Sequence, residues 1–100
     1  MIKDFKYSSK GEVRERHVFI LHENAQYLEG LDFSYLTDDE KKDVQEVLKD
    51  HVVSDIPPRG TKAPPIKDYK PEWNKAWRRF KKDSIVNDKK DKPEEKAQDL

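Results

Sequence analysis

The fold is decided by the stretch IKDFKYSSKGEVRERHVFIL, residues 2–21. Residues 2–8 have the aromatic and β-branched composition of a strand. Ser8-Ser9-Lys10-Gly11 then predicts a turn, because a glycine adopts positive φ without steric cost. Residues 12–21 resume as a strand whose polar start and apolar end indicate that it enters a core partway along. The stretch therefore predicts a β-hairpin.

The chain after the hairpin predicts a third strand. Glu23-Asn24 is typical of a turn, and a short strand is expected over residues 25–29. Gly30 then marks a bulge or a bend. Four further side chains are apolar enough to complete a small core: Leu31, Phe33, Tyr35 and Leu36.

A helix is predicted over residues 38–53. Thr37 and Glu40 have the spacing of a capping box, in which each side chain bonds the backbone amide of the other residue. Asp38 and Asp39 fall in the first turn, where the helix dipole favours acids. The positions on one helical face are apolar except for a histidine: Val44, Val47, Leu48, His51 and Val52.

The prolines of residues 54–65 predict an extended linker. Residues 66–86 are basic and aromatic, with a strand expected at Trp77-Arg78-Arg79-Phe80 and closed by Ile85 and Val86. Residues 87–100 contain almost no apolar side chain and are expected to be a disordered tail. The sequence thus predicts one α+β domain over residues 1–86.

Composition points to an intracellular binding protein. Only 33% of residues are hydrophobic and 42% are charged, so the core must be small. The chain contains no cysteine and no apolar run of bilayer length, so we expect a cytoplasmic protein without disulfides and without a membrane contact. The net charge is −5 for residues 1–56, +7 for residues 57–82 and −2 for residues 83–100. This asymmetry is the strongest compositional hint about partners.

The sequence carries no motif of a known catalytic site. It lacks the nucleophile elbow, the P-loop and the zinc-protease helix. His17, His22 and His51 share no metal spacing, and an odd separation places His17 and His22 on opposite faces of one strand. The capping box explains the acids at 38–40 without a metal. We therefore expect no enzyme activity, no metal and no cofactor.

The basic segment 57–82 interleaves cations with aromatic rings. Rings stack on bases and cations neutralise phosphates, so Trp77, Arg78 and Arg79 suggest a site for single-stranded nucleic acid. Two simpler interpretations stay open. Trp77 and Phe80 may instead be core residues, or the whole basic segment may dock on the acidic helix and leave no attractive patch.

Three stretches resemble WYL domains. Residues 5–16, FKYSSKGEVRER, are similar to the opening hairpin of that family. Gln26-Tyr27-Leu28 stands where the family has its Trp-Tyr-Leu, and RRFKKDSI at residues 78–85 is similar to the closing R-x-F-x-x-D-x-I pattern. The resemblance covers residues 1–36 and 66–86. The sequence departs from it at Gln26, which replaces the motif tryptophan, and in the helical segment that interrupts the barrel.

The resemblance implies a small SH3-like or Sm-like β-barrel, here with an inserted helix at 38–53. It implies a regulatory, non-enzymatic module that binds single-stranded nucleic acid or a nucleotide-like anionic ligand. Compact stand-alone relatives occur in phages, which would place this chain in a host cytoplasm. Together with the segment 57–82, the resemblance gives these expected binding residues: Arg16, Tyr27, Trp77, Arg78 and Arg79.

A protein-binding function is the alternative. In it the chain is a phage-encoded adaptor or inhibitor that acts on a host protein. The contact surface would be either the proline-rich loop or the acidic helix face, which comprises Asp39, Asp43, Glu46 and Asp50. The sequence leaves the oligomeric state open.

Overall fold

The computed structural model of the chain describes residues 2–86. The disordered tail expected at residues 87–100 lies outside the described residues. The described part forms one five-stranded antiparallel sheet and one α-helix, joined by 3₁₀ turns and a long loop. This arrangement confirms the α+β class.

The sheet has the strand order β4-β3-β2-β1-β5. Its strands are β1 (Ile2–Ser9), β2 (Glu12–Glu23), β3 (Tyr27–Asp32), β4 (Trp77–Lys81) and β5 (Ile85–Val86). The predicted hairpin is confirmed as β1 and β2, which pair from Ile2 with Phe19 to Ser9 with Glu12. Its two loop residues, Lys10 and Gly11, have φ of 53° and 78°. Two positive φ values suit the right-handed twist of the flanking strands.

An irregularity in β2 sits opposite Gly30. Ile20 pairs with Gly30 and His22 pairs with Glu29, so Leu21 is an extra residue in β2. A Cβ on Gly30 would lie 2.2 Å from the carbonyl oxygen of Phe19, so only glycine fits. The extra residue reverses the alternation of side chains beyond it. His17 and His22 therefore lie on the same face of β2, and the expectation of opposite faces is wrong.

Each face of the sheet carries its own apolar cluster. The face that carries Leu31 is called the outer face, and the helix and the 3₁₀ turns pack against it. The face that carries Leu28 is called the inner face. The buried residues of the outer cluster are Phe19, Leu21, Leu31, Phe33, Leu36, Val44, Leu48, Trp73 and Ala76. Those of the inner cluster are Val18, Ile20, Leu28 and Phe80, with Phe5, Tyr7, Val53 and Ile85 packed against them.

The sheet curls around the inner cluster. Strands β1 and β4 are separated by two strands in the sheet, yet the rings of Tyr7 and Phe80 lie 5.0 Å apart. The Tyr7 hydroxyl also accepts a hydrogen bond of 3.0 Å from the backbone N–H of Lys81. A single 3₁₀ turn, Lys82–Ser84, joins β4 at one edge of the sheet to β5 at the other.

Helix α1 (Asp38–Val47) begins as predicted and ends early. Both halves of the Thr37–Glu40 capping box are present. The predicted end at residue 53 is wrong, because the chain leaves the helix to pair with β2. The backbone N–H of Glu23 donates to Ser54 O at 2.8 Å, and the β-branched residues before Ser54 favour the extended conformation that this needs. Val52 is consequently 79% exposed rather than on the core stripe.

The loop that follows is packed against the body. Residues 55–70 contain no helix or strand, as the prolines predicted, but Pro57 and Pro64 are buried. A 3₁₀ helix at Pro71–Ala76 then leads directly into β4. It places Trp73, which is fully buried, in the outer cluster. This segment therefore anchors β4 and fixes the position of its arginines.

Candidate functional site

The five predicted binding residues are divided between the two faces of the sheet. Side chains of cross-strand partners point to the same face. Tyr27 pairs with Lys81, Glu29 with Arg79 and Leu31 with Trp77, which puts Tyr27, Trp77 and Arg79 on the outer face. Arg78 pairs with Gly30 and is on the inner face. Arg16 pairs with Phe5, whose ring contacts Phe80, so Arg16 is also on the inner face.

The outer group is organised around a buried carboxylate. Glu29 is only 3% exposed. It accepts hydrogen bonds from Trp77 Nε1 at 3.0 Å and from Arg79 Nε at 2.8 Å. The Arg79 guanidinium also lies 5.5 Å from the Tyr27 ring centroid. These contacts neutralise the charge of Arg79 within the protein, so this group stabilises the sheet.

Most of the aromatic rings of the basic segment are packed in the core. Trp73 and Phe80 are buried, and the half-buried Trp77 packs against the outer cluster. For Phe80, the simpler interpretation as a core residue is therefore confirmed. The Trp77 ring is fixed in place, because it packs against the outer cluster and its indole N–H is bound to Glu29.

The basic segment 57–82 is paired with the acidic body. Ion pairs join four of the nine cations of this segment to acids of residues 1–56: Lys70 to Asp43, Lys75 to Glu40, Arg79 to Glu29 and Lys82 to Glu23. The backbone amide of Thr37, and then Lys75, hold the pKa of Glu40 below its ordinary value. Docking of the basic segment on the body is thus what the structure shows.

Arg16 occupies a different environment on the inner face. Its Nη1 donates to a carboxylate oxygen of Asp32 at 3.1 Å. Asp32 is fully buried, and its other oxygen accepts a hydrogen bond of 2.9 Å from the backbone N–H of Ser34. The Arg16 side chain is 18% exposed, and its Nε is buried without a hydrogen-bond partner. Asp32 therefore fixes the guanidinium, and only the small exposed part of the Arg16 side chain is accessible to a ligand.

Arg16 lines a groove along the hairpin. The groove has a volume of about 220 Å³, and we call it the hairpin groove. Its lining residues are Tyr7, Ser9, Lys10, Glu12, Arg14 and Arg16. Its one acid, Glu12, pairs with Arg14 at 3.1 Å. Asp32 pairs with Arg16 at 3.1 Å, so the three cations of the groove face two carboxylates and keep one net positive charge, beside a serine hydroxyl.

Sequence reasoning did not select Lys10 or Arg14. A usable signal was present, since Arg14 and Arg16 are two residues apart in a predicted strand and must share a face. Lys10 is in the turn that closes the same hairpin. The three cations come from one local element, whereas the predicted set was drawn from three separate stretches.

Arg78 forms an exposed pair with an aromatic ring. Its guanidinium carbon lies 4.5 Å from the Tyr35 ring centroid, and its Nη1 donates to Trp77 O at 3.1 Å. Tyr35 belongs to the 3₁₀ turn Phe33–Tyr35 that follows β3 and is 43% exposed. The sequence analysis assigned Tyr35 to the core, and this exposure shows that the assignment is wrong.

Two further features of the described residues complete the survey. An apolar pocket of about 450 Å³ lies between the end of α1 and the proline-rich loop and includes Leu48, Val52 and Ile66. Within residues 2–86, no group of three metal-ligating side chains is found. No helix in that part of the chain has the length and apolarity to cross a bilayer.

Comparison with known proteins identifies no relative. No protein-family model, curated protein or solved structure matches the chain. The function must therefore be argued from the geometry of its own residues.

Proposed function

We propose that the chain is a non-enzymatic binding module for a phosphate-bearing ligand, with single-stranded nucleic acid as the expected source of the phosphate. The ligand binds in the hairpin groove through Lys10, Arg14 and Arg16. The observation that carries the proposal is the position of Arg16, which a buried carboxylate holds at the side of a groove shared with Lys10 and Arg14.

The geometry of Arg16 suits an oxyanion. A planar guanidinium is a good donor to the oxygens of a phosphate, and its charge strengthens such hydrogen bonds. Asp32 holds one side of the guanidinium, so part of the ordering entropy is lost on folding rather than on binding. Lys10 and Arg14 are exposed and can adjust to the ligand.

The size of the hairpin groove favours a small anionic group. Pockets for drug-sized ligands usually enclose roughly 300–1,000 Å³. The hairpin groove encloses about 220 Å³ and is open to solvent along the strand. One phosphate of a nucleic-acid strand can enter such a groove while the rest of the strand extends beyond the groove.

We further propose that the curled sheet is a partly open SH3-like barrel of the WYL-like kind. The strand order β4-β3-β2-β1-β5, the turn that joins β4 to β5 and the contact of Tyr7 with β4 support this proposal. The resemblance to that family places Arg16 on its binding face. A regulatory role for the module, and a phage origin, belong to the same proposal.

Binding of labelled single-stranded DNA and RNA across a salt series tests the proposed function. The test variant combines Lys10→Asn with Arg14→Gln, because asparagine tolerates the positive φ of residue 10 and neither side chain is buried. Each lost phosphate contact should reduce the slope of log affinity against log salt by about 0.7.

The matched control combines Lys62→Gln with Lys67→Gln. This variant loses the same charge from two exposed lysines outside the hairpin groove. We expect the control to retain the slope and most of the affinity. Absence of binding at low salt, or an equal loss in both double variants, would contradict the proposal.

A protein-binding adaptor that acts on a host protein is the second candidate function. It is favoured by the apolar pocket at the end of α1, where Val52 is 79% exposed. Of the predicted acidic face, Asp43 is already bound by Lys70. An apolar interface of this kind would respond weakly to salt, which separates it from the first candidate.

A further inference from the structure

We propose that Tyr35 and Arg78 form a stacking platform for the base whose phosphate occupies the hairpin groove. This inference rests on the proposed function and adds the class of ligand to it. The ligand would be a nucleotide unit of a single strand, which the protein holds by both its phosphate and its base.

The platform is already assembled without a ligand. The Arg78 guanidinium lies 4.5 Å from the Tyr35 ring centroid, so one face of the ring is covered. The hydrogen bond from Arg78 Nη1 to Trp77 O restrains the guanidinium. Tyr35 remains 43% exposed, and a base can extend the stack on its open side.

The platform is connected to the hairpin groove through Asp32. This residue accepts the hydrogen bond from Arg16 and is separated from Tyr35 by only two residues of the same 3₁₀ turn. Gly30, the cross-strand partner of Arg78, lies two residues before Asp32 on the same face of β3. Asp32 thus holds the Arg16 side chain and also caps the turn that carries Tyr35.

The remaining rings of the sheet are poorer platforms. Phe5, Tyr7 and Phe80 pack against one another within the inner cluster. Tyr27 has an arginine beside it in the same manner as Tyr35, but that pair is on the outer face beside the buried Glu29. Tyr27 thus supplies a matched control for a ring–guanidinium pair placed away from the groove.

The test compares a short oligothymidylate with an abasic strand of equal length. Both present the same phosphates, and only the first presents bases. Stacking of one base is worth about tenfold in affinity, so the native protein should bind the oligothymidylate roughly tenfold more tightly. Tyr35→Leu should abolish this ratio without changing the salt slope. Tyr35→Phe and Tyr27→Leu should preserve it.

The outcomes separate the two proposals. Equal binding of the two strands by the native protein would overturn the stacking platform and leave the phosphate site standing. If Tyr35→Leu still binds the oligothymidylate more tightly than the abasic strand, the stacking platform is also overturned. Failure of both strands to bind at low salt would overturn the phosphate site and the platform together.

Discussion

Gly30 lies where the backbone of β2 leaves no room for a side chain on β3. A Cβ at this position would lie 2.2 Å from the Phe19 carbonyl oxygen and 2.7 Å from Cγ1 of Val18. The first of these atoms belongs to the backbone and cannot rotate away. The two strands would have to separate, which would disturb both apolar clusters.

Gly30→Ala should therefore destabilise the fold by at least about 3 kcal/mol, at or above the upper end of ordinary overpacking. Gly60→Ala is the control, because Gly60 has φ of 85° but nothing within 4 Å of the added Cβ. It should cost only about 1–2 kcal/mol of backbone strain. Urea unfolding measures both values, and equal losses would contradict the account of Gly30.

Predictions for single residues succeeded where the residue type was decisive and failed where the surrounding fold was. Gly30 was predicted as a bulge or bend from its identity alone, and the bulge is indeed opposite it, in β2. Tyr35 was assigned to the core because it has an aromatic ring and stands close to the apolar residues Phe33 and Leu36. Its exposure depends on the turn that follows Asp32, which the pattern of residues does not encode.

The start of helix α1 is determined by neighbouring residues, whereas its end is determined by a contact with a distant part of the chain. Its start is encoded within four residues by the Thr37–Glu40 capping box and was predicted correctly. Its end depends on the pairing of Ser54 with β2, more than 30 residues earlier in the chain. Helical periodicity extends through Val52, so the sequence alone favoured a longer helix.

The pairing of β2 with Ser54 also buries a histidine. Nδ1 of His22 lies 3.1 Å from the Ser54 hydroxyl oxygen, and Nε2 is buried without a partner. Burial is the main cause that lowers the pKa of His22 below its ordinary 6.5, and the neighbouring His51 adds to it. Glu29 and Asp55 oppose the shift.

This shift makes the stability sensitive to acid. In the unfolded chain His22 binds a proton at about pH 6.5, whereas in the folded chain it binds a proton only at lower pH. The contribution of His22 is therefore fully present above that pH and decreases as the pH falls toward the folded pKa. His22→Gln should flatten the fall in unfolding free energy between about pH 7 and 5. An unchanged fall in the variant would contradict this assignment.

His17 supplies the control of opposite sign. Its Nδ1 lies 2.7 Å from a carboxylate oxygen of Asp4, and this contact raises the pKa of His17. The folded protein then binds a proton more tightly, so the contribution is present below about pH 6.5 and is lost as the pH rises through the raised value. In His17→Gln the free energy of unfolding should still fall between about pH 7 and 5.

On the scale of the whole molecule, the segregation of charge along the chain serves folding. The −5 of residues 1–56 and the +7 of residues 57–82 suggested an external acidic partner. Several cations of the basic segment instead find their acids within the body, so the two halves of the domain attract one another. The sequence shows the uneven distribution of charge along the chain. How much positive charge is left for a ligand depends on the ion pairs that form in the folded structure.

The hairpin groove brings Lys10 together with Arg14 and Arg16, each of which also has an acidic partner. Arg16 was predicted from a resemblance, while Lys10 and Arg14 were not selected, although strand alternation already places Arg14 on the same face as Arg16. The division of the five predicted residues between two faces could not be foreseen without the register of β3 and β4. We accordingly propose that the hairpin, rather than β4, supplies the phosphate site.

Amide chemical shifts recorded during titration with oligothymidylate test this claim most directly. The account predicts shifts that saturate with a single affinity and are largest for residues 7–16, with smaller ones at Tyr35 and Arg78. Amides around Glu29 and Arg79 on the outer face should move least. Shifts centred on the outer face of β4, or on the pocket at the end of α1, would contradict the account.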